Sequence, residues 1–460
     1  TEWAGRELVI ETGKLAQQTN GSCTVRYGGT VMLATAVMSK NIRDGISYFP
    51  LMVDYEEKLY AGGKIKGSRF IKRETRPSDD SILTARLVDR SLRPLFNEVI
   101  RNDVQVILTT LSFDNENDTD IVALVAASAA LTISDIPWEG PIGGIRVGRI
   151  KSDDGAKHEW VLNPTYDARD KSDLDLIVAA TKEKVVMLEA GAVEVPEDAM
   201  AEAIAFGLKH VAPVIALIEK MQKAIGEPKK AMEKIEDDPE TLKANEELKT
   251  KIDGWLTKHV PVKLFNAKKM SKTERKEAIG EIQAELEQFL IEEQIGKDKR
   301  KEAGVMFEKA IERAVSQAIL NDNKRVDGRA ITEIRPLGAE VALLPRTHGS
   351  ALFSRGDTQV LSVVTLGAPS DEQIVEGLED EEKKRYMHHY NFPPFSVGET
   401  SPLRGAGRRE VGHGMLAEKA LARMLPTKEE FPYVVRVVSE VLSSNGSSSM
   451  ASTCGSTLAL

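Results

Sequence analysis

Two adjacent arginines and a glutamate, in Gly405-Ala406-Gly407-Arg408-Arg409-Glu410-Val411-Gly412-His413, are the residues best suited to do chemistry in this chain. Paired guanidinium groups can grip an oxyanion in bidentate geometry, and the glycines let a ligand approach the backbone. Such a site suits phosphate. A pair of arginines is also what a surface ion pair uses. His413, one helical turn beyond Arg409, reads as a substrate contact or as a structural histidine. The second candidate is Ser443-Ser444-Asn445-Gly446-Ser447-Ser448-Ser449-Met450, set between the strand-like Tyr433–Val441 and the helix-compatible Ala451–Leu460. A Gly-Ser loop between strand and helix presents hydroxyls and N–H groups at the positive end of a helix dipole, a phosphate cradle without a lysine. A flexible linker is the other reading of a serine run, although linkers rarely separate a Val-rich strand from an apolar run. No Gly-x-x-x-x-Gly-Lys-Ser/Thr occurs, so a nucleoside-triphosphatase P-loop is not supported. The third candidate, Gly67-Ser68-Arg69-Phe70-Ile71-Lys72-Arg73, sets an aromatic and an aliphatic side chain beside cations. Single-stranded RNA is held this way, by stacking and by phosphate contacts. A loop anchor would also use Phe-Ile.

These candidates need elements to position them. Residues 5–60 carry short β-type runs divided by turn signals, and apolar spacing predicts helices over Ser78–Phe96, Ile121–Ile133 and Pro196–Met221. Leu174–Ala179 and Lys184–Leu188 read as strands. From about Gly226 to Gln317 the composition turns to Lys, Glu, Ala and Leu, and Ser271-Lys272-Thr273-Glu274 has the form of a capping box. Acidic and basic residues interleave there, so this helical insert reads as a solvated surface with no chemistry. Beyond it the chain repeats itself. Gly349-Ser350 through Arg355-Gly356-Asp357-Thr358 matches Gly21-Ser22 through Tyr27-Gly28-Gly29-Thr30 at an offset of 328 residues, and Arg408-Arg409-Glu410 matches Lys72-Arg73-Glu74 ahead of a helix. The expectation is two mixed α/β (α+β) domains in tandem, over 1–222 and 319–460, joined by an all-helical domain over 223–318.

A chain of 460 residues can hold two or three cores. Its net charge of −9 excludes a general basic coat for nucleic acid, so any RNA contact must be local. The stretch 69–93 supplies one, since Arg69, Lys72, Arg73, Arg76, Arg86, Arg90 and Arg93 outnumber Glu74, Asp79, Asp80 and Asp89. The two cysteines, Cys23 and Cys454, have neither disulfide-framework nor zinc spacing. No apolar run reaches the roughly 18 residues of a membrane span, and the first residues lack a signal-peptide stretch, so a cytoplasmic location with no membrane partner is expected.

Taken together, these motifs resemble the bacterial polynucleotide phosphorylase family over the whole chain. Arg408-Arg409-Glu410-Val411-Gly412-His413 is similar to that family's Arg-Arg-Glu-hydrophobic-Gly-His motif, and Ser444 to Ala451 to its phosphate-binding serine loop. Phe70-Ile71-Lys72-Arg73 stands where the family carries an aromatic pair at the RNA entrance of a trimeric ring. Leu83 to Arg90, Arg93-Pro94-Leu95-Phe96, Gly140 to Gly144 and Arg325-Val326-Asp327-Gly328-Arg329 match as well. The resemblance implies two RNase PH-like cores around a helical domain and a phosphorolytic 3′-to-5′ exoribonuclease. Such an enzyme would release nucleoside diphosphates from single-stranded RNA, run in reverse as a polymerase, and serve mRNA degradation. It implies Arg408, Arg409 and His413 as catalytic, Ser447, Ser448 and Ser449 as phosphate-binding, and Phe70, Lys72, Arg73, Arg76, Arg90 and Arg93 as RNA-binding. It further implies a homotrimer, an endoribonuclease and a helicase as partners, and Mg2+ or Mn2+ as cofactor. The family's aspartate ligands for the metal are expected beyond Leu460, with none in this chain, and its KH and OB-type modules are also expected to be missing. The first core is expected to lack the chemistry, because Asp114-Asn115-Glu116-Asn117-Asp118 would repel phosphate where the serine loop should recur. The rival is an RNA-binding ring subunit without catalysis; a hydrolytic nuclease of the same fold should not need the serine cradle.

Overall fold

The computed structural model describes residues 1–42, 46, 48–67, 70–152, 157–230, 239–266, 268, 271–378 and 382–460. Ser68 and Arg69 of the third candidate motif lie outside them. The chain forms two compact units, one of residues 1–232, 365–390 and 404–437, the other of residues 233–364, 391–403 and 438–460.

The first unit is built on two sheets. One has six strands in the order Glu2–Trp3, Arg6–Thr12, Gly21–Tyr27, Thr30–Ile42, Asn102–Ser112 and Leu51–Glu56, antiparallel except for the last pair. The other has four antiparallel strands, Val185–Ala192, Ser172–Ala180, Gly143–Lys151 and His158–Leu162. Alternating burial in Gly21–Tyr27 and Asn102–Ser112 marks half-buried strands. The Thr119–Ile133 helix is apolar on every side and buried along almost its whole length, packing against both sheets. The Glu197–Ile225 helix lays Gly207, Val211, Val214 and Ile218 into the same core. By length and composition this helix could cross a membrane, contrary to the sequence expectation, but its apolar stripe is turned to the sheets.

A group of buried charges sits at the start of the Thr119–Ile133 helix. Arg146 bonds Asp120 at 2.5 Å and Asp118 at 2.9 Å and also Asp175, while Arg169 bonds Asp118 and Asp175. Three carboxylates face two guanidinium groups. Burial would raise the Asp118 carboxyl, but Arg146 and Arg169 more than offset it and hold it low; burial raises Asp120, with the Asp118 charge adding to the rise. Asp120 Oδ1 is buried without a hydrogen bond among the described residues, which fits a neutral carboxyl. The folded protein therefore keeps a proton that the unfolded chain releases above the ordinary Asp value of 3.8, and stability falls as pH rises through that window. Asp120→Asn removes the requirement. Its stability relative to wild type should grow with pH by up to about 1.4 kcal/mol per unit, as read from urea melts between pH 4 and pH 8.

In the second unit, helices Pro239–Leu264, Lys272–Glu292 and Lys297–Asp322 bury Ile252, Leu256, Ile282, Leu286 and Phe307 in a core of their own. The Lys272 helix begins with the expected capping box, Ser271 Oγ accepting from Glu274 N–H and Glu274 from Ser271 N–H. The strands Leu337–Val341, Gly349–Arg355 and Thr358–Gly367 follow and pair antiparallel in that order. The repeat holds in three dimensions. Gly21–Tyr27 pairs with Thr30–Ile42 through Tyr27↔Thr30, and Gly349–Arg355 pairs with Thr358–Gly367 through Arg355↔Thr358. Each turn carries a left-handed glycine, Gly28 at φ 60° and Gly356 at φ 54°.

Candidate phosphate and nucleic-acid site

Arg408 and Arg409 do not precede a helix, as the sequence suggests; they are the first two residues of the helix Arg408–Ala422. Glu410 reaches back to accept from the Gly407 N–H at 2.6 Å, so the helix starts one residue later. The matching Lys72-Arg73-Glu74 lies in irregular chain before the Asp79–Leu92 helix, whose cap is Ser78, accepting from Ser81 N–H at 3.0 Å. Two cations in a first helical turn oppose the helix dipole, an arrangement that an anion relieves. Arg408 is tied down: its guanidinium bonds the Asp54 carboxylate and donates to the Val53 carbonyl at 2.9 Å. Arg409 is exposed beside it.

A third guanidinium, Arg86, joins them from the Asp79–Leu92 helix. A Cβ on Gly412 would lie 2.3 Å from Arg86 Nε, so glycine is what lets the two helices close around that side chain. Burial lowers the Arg86 pKa, and the like charges of Arg90, Arg409 and Arg408 lower it further. In the sequence Arg86 counts only toward the basic stretch 69–93 and is given no site role of its own. Its signal was present, since it shares a helical stripe with Arg90 and Arg93. His413 is pushed toward its neutral form, first by burial and then by Arg409 and Arg86, and its ring meets the edge of Tyr390 at 5.1 Å. Gly412→Ala should displace Arg86 and lower activity about tenfold, with little change in melting temperature, because the end of a flexible side chain moves and no backbone does. A product-release assay beside a thermal melt checks this.

The serine loop belongs to the second unit. Ser447 adopts a left-handed conformation at φ 49°, and the helix Ser448–Ala459 starts immediately after it. In this turn Ala451 N–H donates to Ser447 O at 3.2 Å, closing the first turn of the helix. Ser448 is buried, Ser449 partly exposed and Ser447 exposed. The loop is held from several directions. Asn445 N–H donates to Thr358 Oγ1 at 3.0 Å, Arg355 Nη2 to Gly446 O at 2.9 Å, Lys272 Nζ to Ser444 O at 3.1 Å and Arg275 Nη2 to Asn445 Oδ1 at 3.1 Å. Lys272 and Arg275 come from the helical insert, to which the sequence reading gives no chemistry.

The equivalent loop in the first repeat is built differently. Asp114 accepts from the N–H groups of Gly29 at 2.7 Å, Glu116 at 3.0 Å and Asn117 at 2.8 Å, and from Thr30 Oγ1 at 2.9 Å. An internal carboxylate satisfies the amides that a phosphate would use. Although burial works against it, the Asn117, Glu116 and Gly29 donors hold this carboxyl below the usual carboxylate range.

Of the expected RNA contacts, Phe70 is 86% exposed, and Lys72, Arg73 and Arg76 are exposed. Arg76 lines a cavity of about 120 Å³ with Lys66, Glu74 and Ser78. Arg90 is engaged by Glu189 at 2.5 Å, and Arg93 by Asp89 at 2.6 Å and by the Phe49 and Leu51 carbonyls. Among the described residues no group of three or more His, Cys, Asp or Glu side chains is placed to hold a metal ion.

A duplicated mixed fold with arginines at one helix start and a serine cradle at another defines a class. The chain belongs to the 3′ exoribonuclease family: the model of domain 1 of that family matches residues 4–137 and again 333–460, and that of domain 2 matches residues 140–210. Residues 247–330 match a model described as the RNA binding domain of polyribonucleotide nucleotidyltransferase. The chain is 51% identical over 461 residues to the polyribonucleotide nucleotidyltransferase of Heliobacterium modesticaldum, covering 100% of this chain and 62% of that protein. It is 49% identical to the enzyme of the same name from Bacillus subtilis, covering 100% of this chain and 63% of the relative. It thus spans a little over three fifths of the length of these relatives.

Proposed function

We propose that this protein is a phosphorolytic 3′-to-5′ exoribonuclease acting on single-stranded RNA. Phosphate is held by Ser447, Ser448 and Ser449, and one of its oxygens attacks the phosphorus of the last phosphodiester. The bond from that phosphorus to the 3′ oxygen of the preceding nucleotide breaks, and the 3′ oxygen leaves and is protonated. The products are a nucleoside 5′-diphosphate and RNA shorter by one residue. One phosphoric ester bond is exchanged for a phosphoanhydride, so the reaction also runs backwards as polymerisation. Arg408 and Arg409 neutralise charge on the transferring group, work that consists of positioning and electrostatics. Neutral His413 is a substrate contact. Phe70, Lys72, Arg73 and Arg76 guide the strand. A divalent cation, Mg2+ or Mn2+, would stabilise the departing 3′ oxygen; among the described residues no group of three or more His, Cys, Asp or Glu side chains is placed to hold it.

The observation that carries this reading is the left-handed Ser447 turn, which sets Ser447, Ser448 and Ser449 at the start of the Ser448–Ala459 helix, where the positive end of the helix dipole favours one small anion. In the cell the activity would serve mRNA degradation in the cytoplasm, in a homotrimer and alongside an endoribonuclease and a helicase. The test is to incubate the protein with a single-stranded oligoribonucleotide, magnesium and phosphate and identify the products. Diphosphates support phosphorolysis. Monophosphates indicate hydrolysis, and tight binding without release indicates a non-catalytic RNA-binding ring subunit; either result overturns the reading.

A further inference from the structure

The motif Arg325-Val326-Asp327-Gly328-Arg329 has no part in the chemistry above, yet Arg329 stands in a group of four guanidiniums. Arg329 Nε donates to Asp327 Oδ2 at 2.8 Å and Nη1 to the Glu333 carbonyl at 2.9 Å. Arg335 lies across the Gly356 turn, where an added Cβ would come within 3.0 Å of its Cδ. The next residue back, Arg355, bonds the Gly446 carbonyl, and Arg275 bonds Asn445. Burial and then the like charges of Arg329, Arg355 and Arg275 lower the pKa of Arg335.

Among the described residues countercharge is short. Asp327 is taken up by Arg329, Asp357 accepts from Lys272 N–H at 2.9 Å and Asn445 Nδ2 at 3.2 Å, and Glu333 accepts from Ala330 N–H at 2.9 Å. Arg335 is partly buried and has no hydrogen bond or ion pair among the described residues, and Arg355 Nε is buried without a partner. A guanidinium in that position costs free energy unless an oxyanion meets it, and its planar fork matches two phosphoryl oxygens.

We propose that Arg275, Arg329, Arg335 and Arg355 form a second oxyanion site for a phosphoryl group, separate from Ser447–Ser449. The phosphoryl group belongs to a free nucleoside diphosphate or to the backbone of the bound RNA. Because Arg275 and Arg355 also hold Asn445 and Gly446, an anion here draws on the two side chains that brace the serine loop, and so couples its own binding to the setting of that loop. The site stands whether or not the serine loop binds phosphate.

The test is Arg335→Gln in the whole chain, with Arg335→Lys as a charge-preserving control. Since Arg335 has no partner to lose, the melting temperature of Arg335→Gln in anion-poor buffer should match or exceed that of wild type. Calorimetric titration with ADP and a salt series of oligoribonucleotide binding then read the site. If the source is a free nucleotide, Arg335→Gln binds one fewer ADP per chain than wild type. If it is RNA, the slope of log affinity against log salt falls by about one, a change that a purely structural arginine would not produce. Arg335→Lys should keep the salt slope. Unchanged ADP stoichiometry together with an unchanged slope overturns the proposal.

Discussion

Arg409→Ala is expected to lower nucleoside diphosphate release by about 10³-fold while leaving the melting temperature where it was. The two halves of this expectation come from one feature. Arg409 occupies the first turn of a helix, where its charge opposes the dipole, and it is exposed, so its removal relieves a repulsion at the helix start. In the reaction proposed above, the same charge faces the phosphoryl group in transfer, where a lost electrostatic contact is felt chiefly in kcat. Arg408→Ala should behave differently, because Arg408 is bonded to Asp54 and to the Val53 carbonyl and its loss also frees a helix start. Arg409→Lys, which keeps the charge without the fork, should fall between wild type and alanine. Turnover of Arg409→Ala equal to wild type would remove this residue from the site.

The second large effect is on folding. Arg146→Met should destabilise the first unit by about 3–5 kcal/mol in urea melts at pH 7, because it strands the carboxyls of Asp118, Asp120 and Asp175 around an apolar side chain. Arg169 alone cannot serve all three. The loss should change little when Asp120→Asn is added, since that carboxyl is already neutral at pH 7, and should shrink as pH is lowered and Asp118 and Asp175 take up protons. A melt indistinguishable from wild type would mean that water or backbone groups already satisfy these carboxylates.

How much of this was legible in the sequence follows from the range of each interaction. The repeated strand-turn-strand units were readable because the glycine turn and the apolar alternation lie within ten residues of each other, and Ser271 with Glu274 because a capping box is wholly local. The start of the Arg408 helix was placed too late, since Gly407 has no side chain to announce a cap and the deciding bond comes from Glu410. Arg86 against Gly412, Arg408 on Asp54, and Lys272 and Arg275 on the serine loop join residues far apart in sequence. No periodicity marks such pairs. For the Asp114 loop, sequence showed the run of carboxylates and amides but not their arrangement, in which Asp114 accepts from the N–H groups of its own loop.

That inward carboxylate bears on the history of the duplication. Exchanging Asp114 for a small residue would release the Gly29, Glu116 and Asn117 amides and the Thr30 hydroxyl together, weakening the turn before any hydroxyl-bearing side chain stood ready to attract a ligand. Under the proposed reading, in which phosphate is held by the second copy, opening the first copy to an anion would take replacements at several of these positions together.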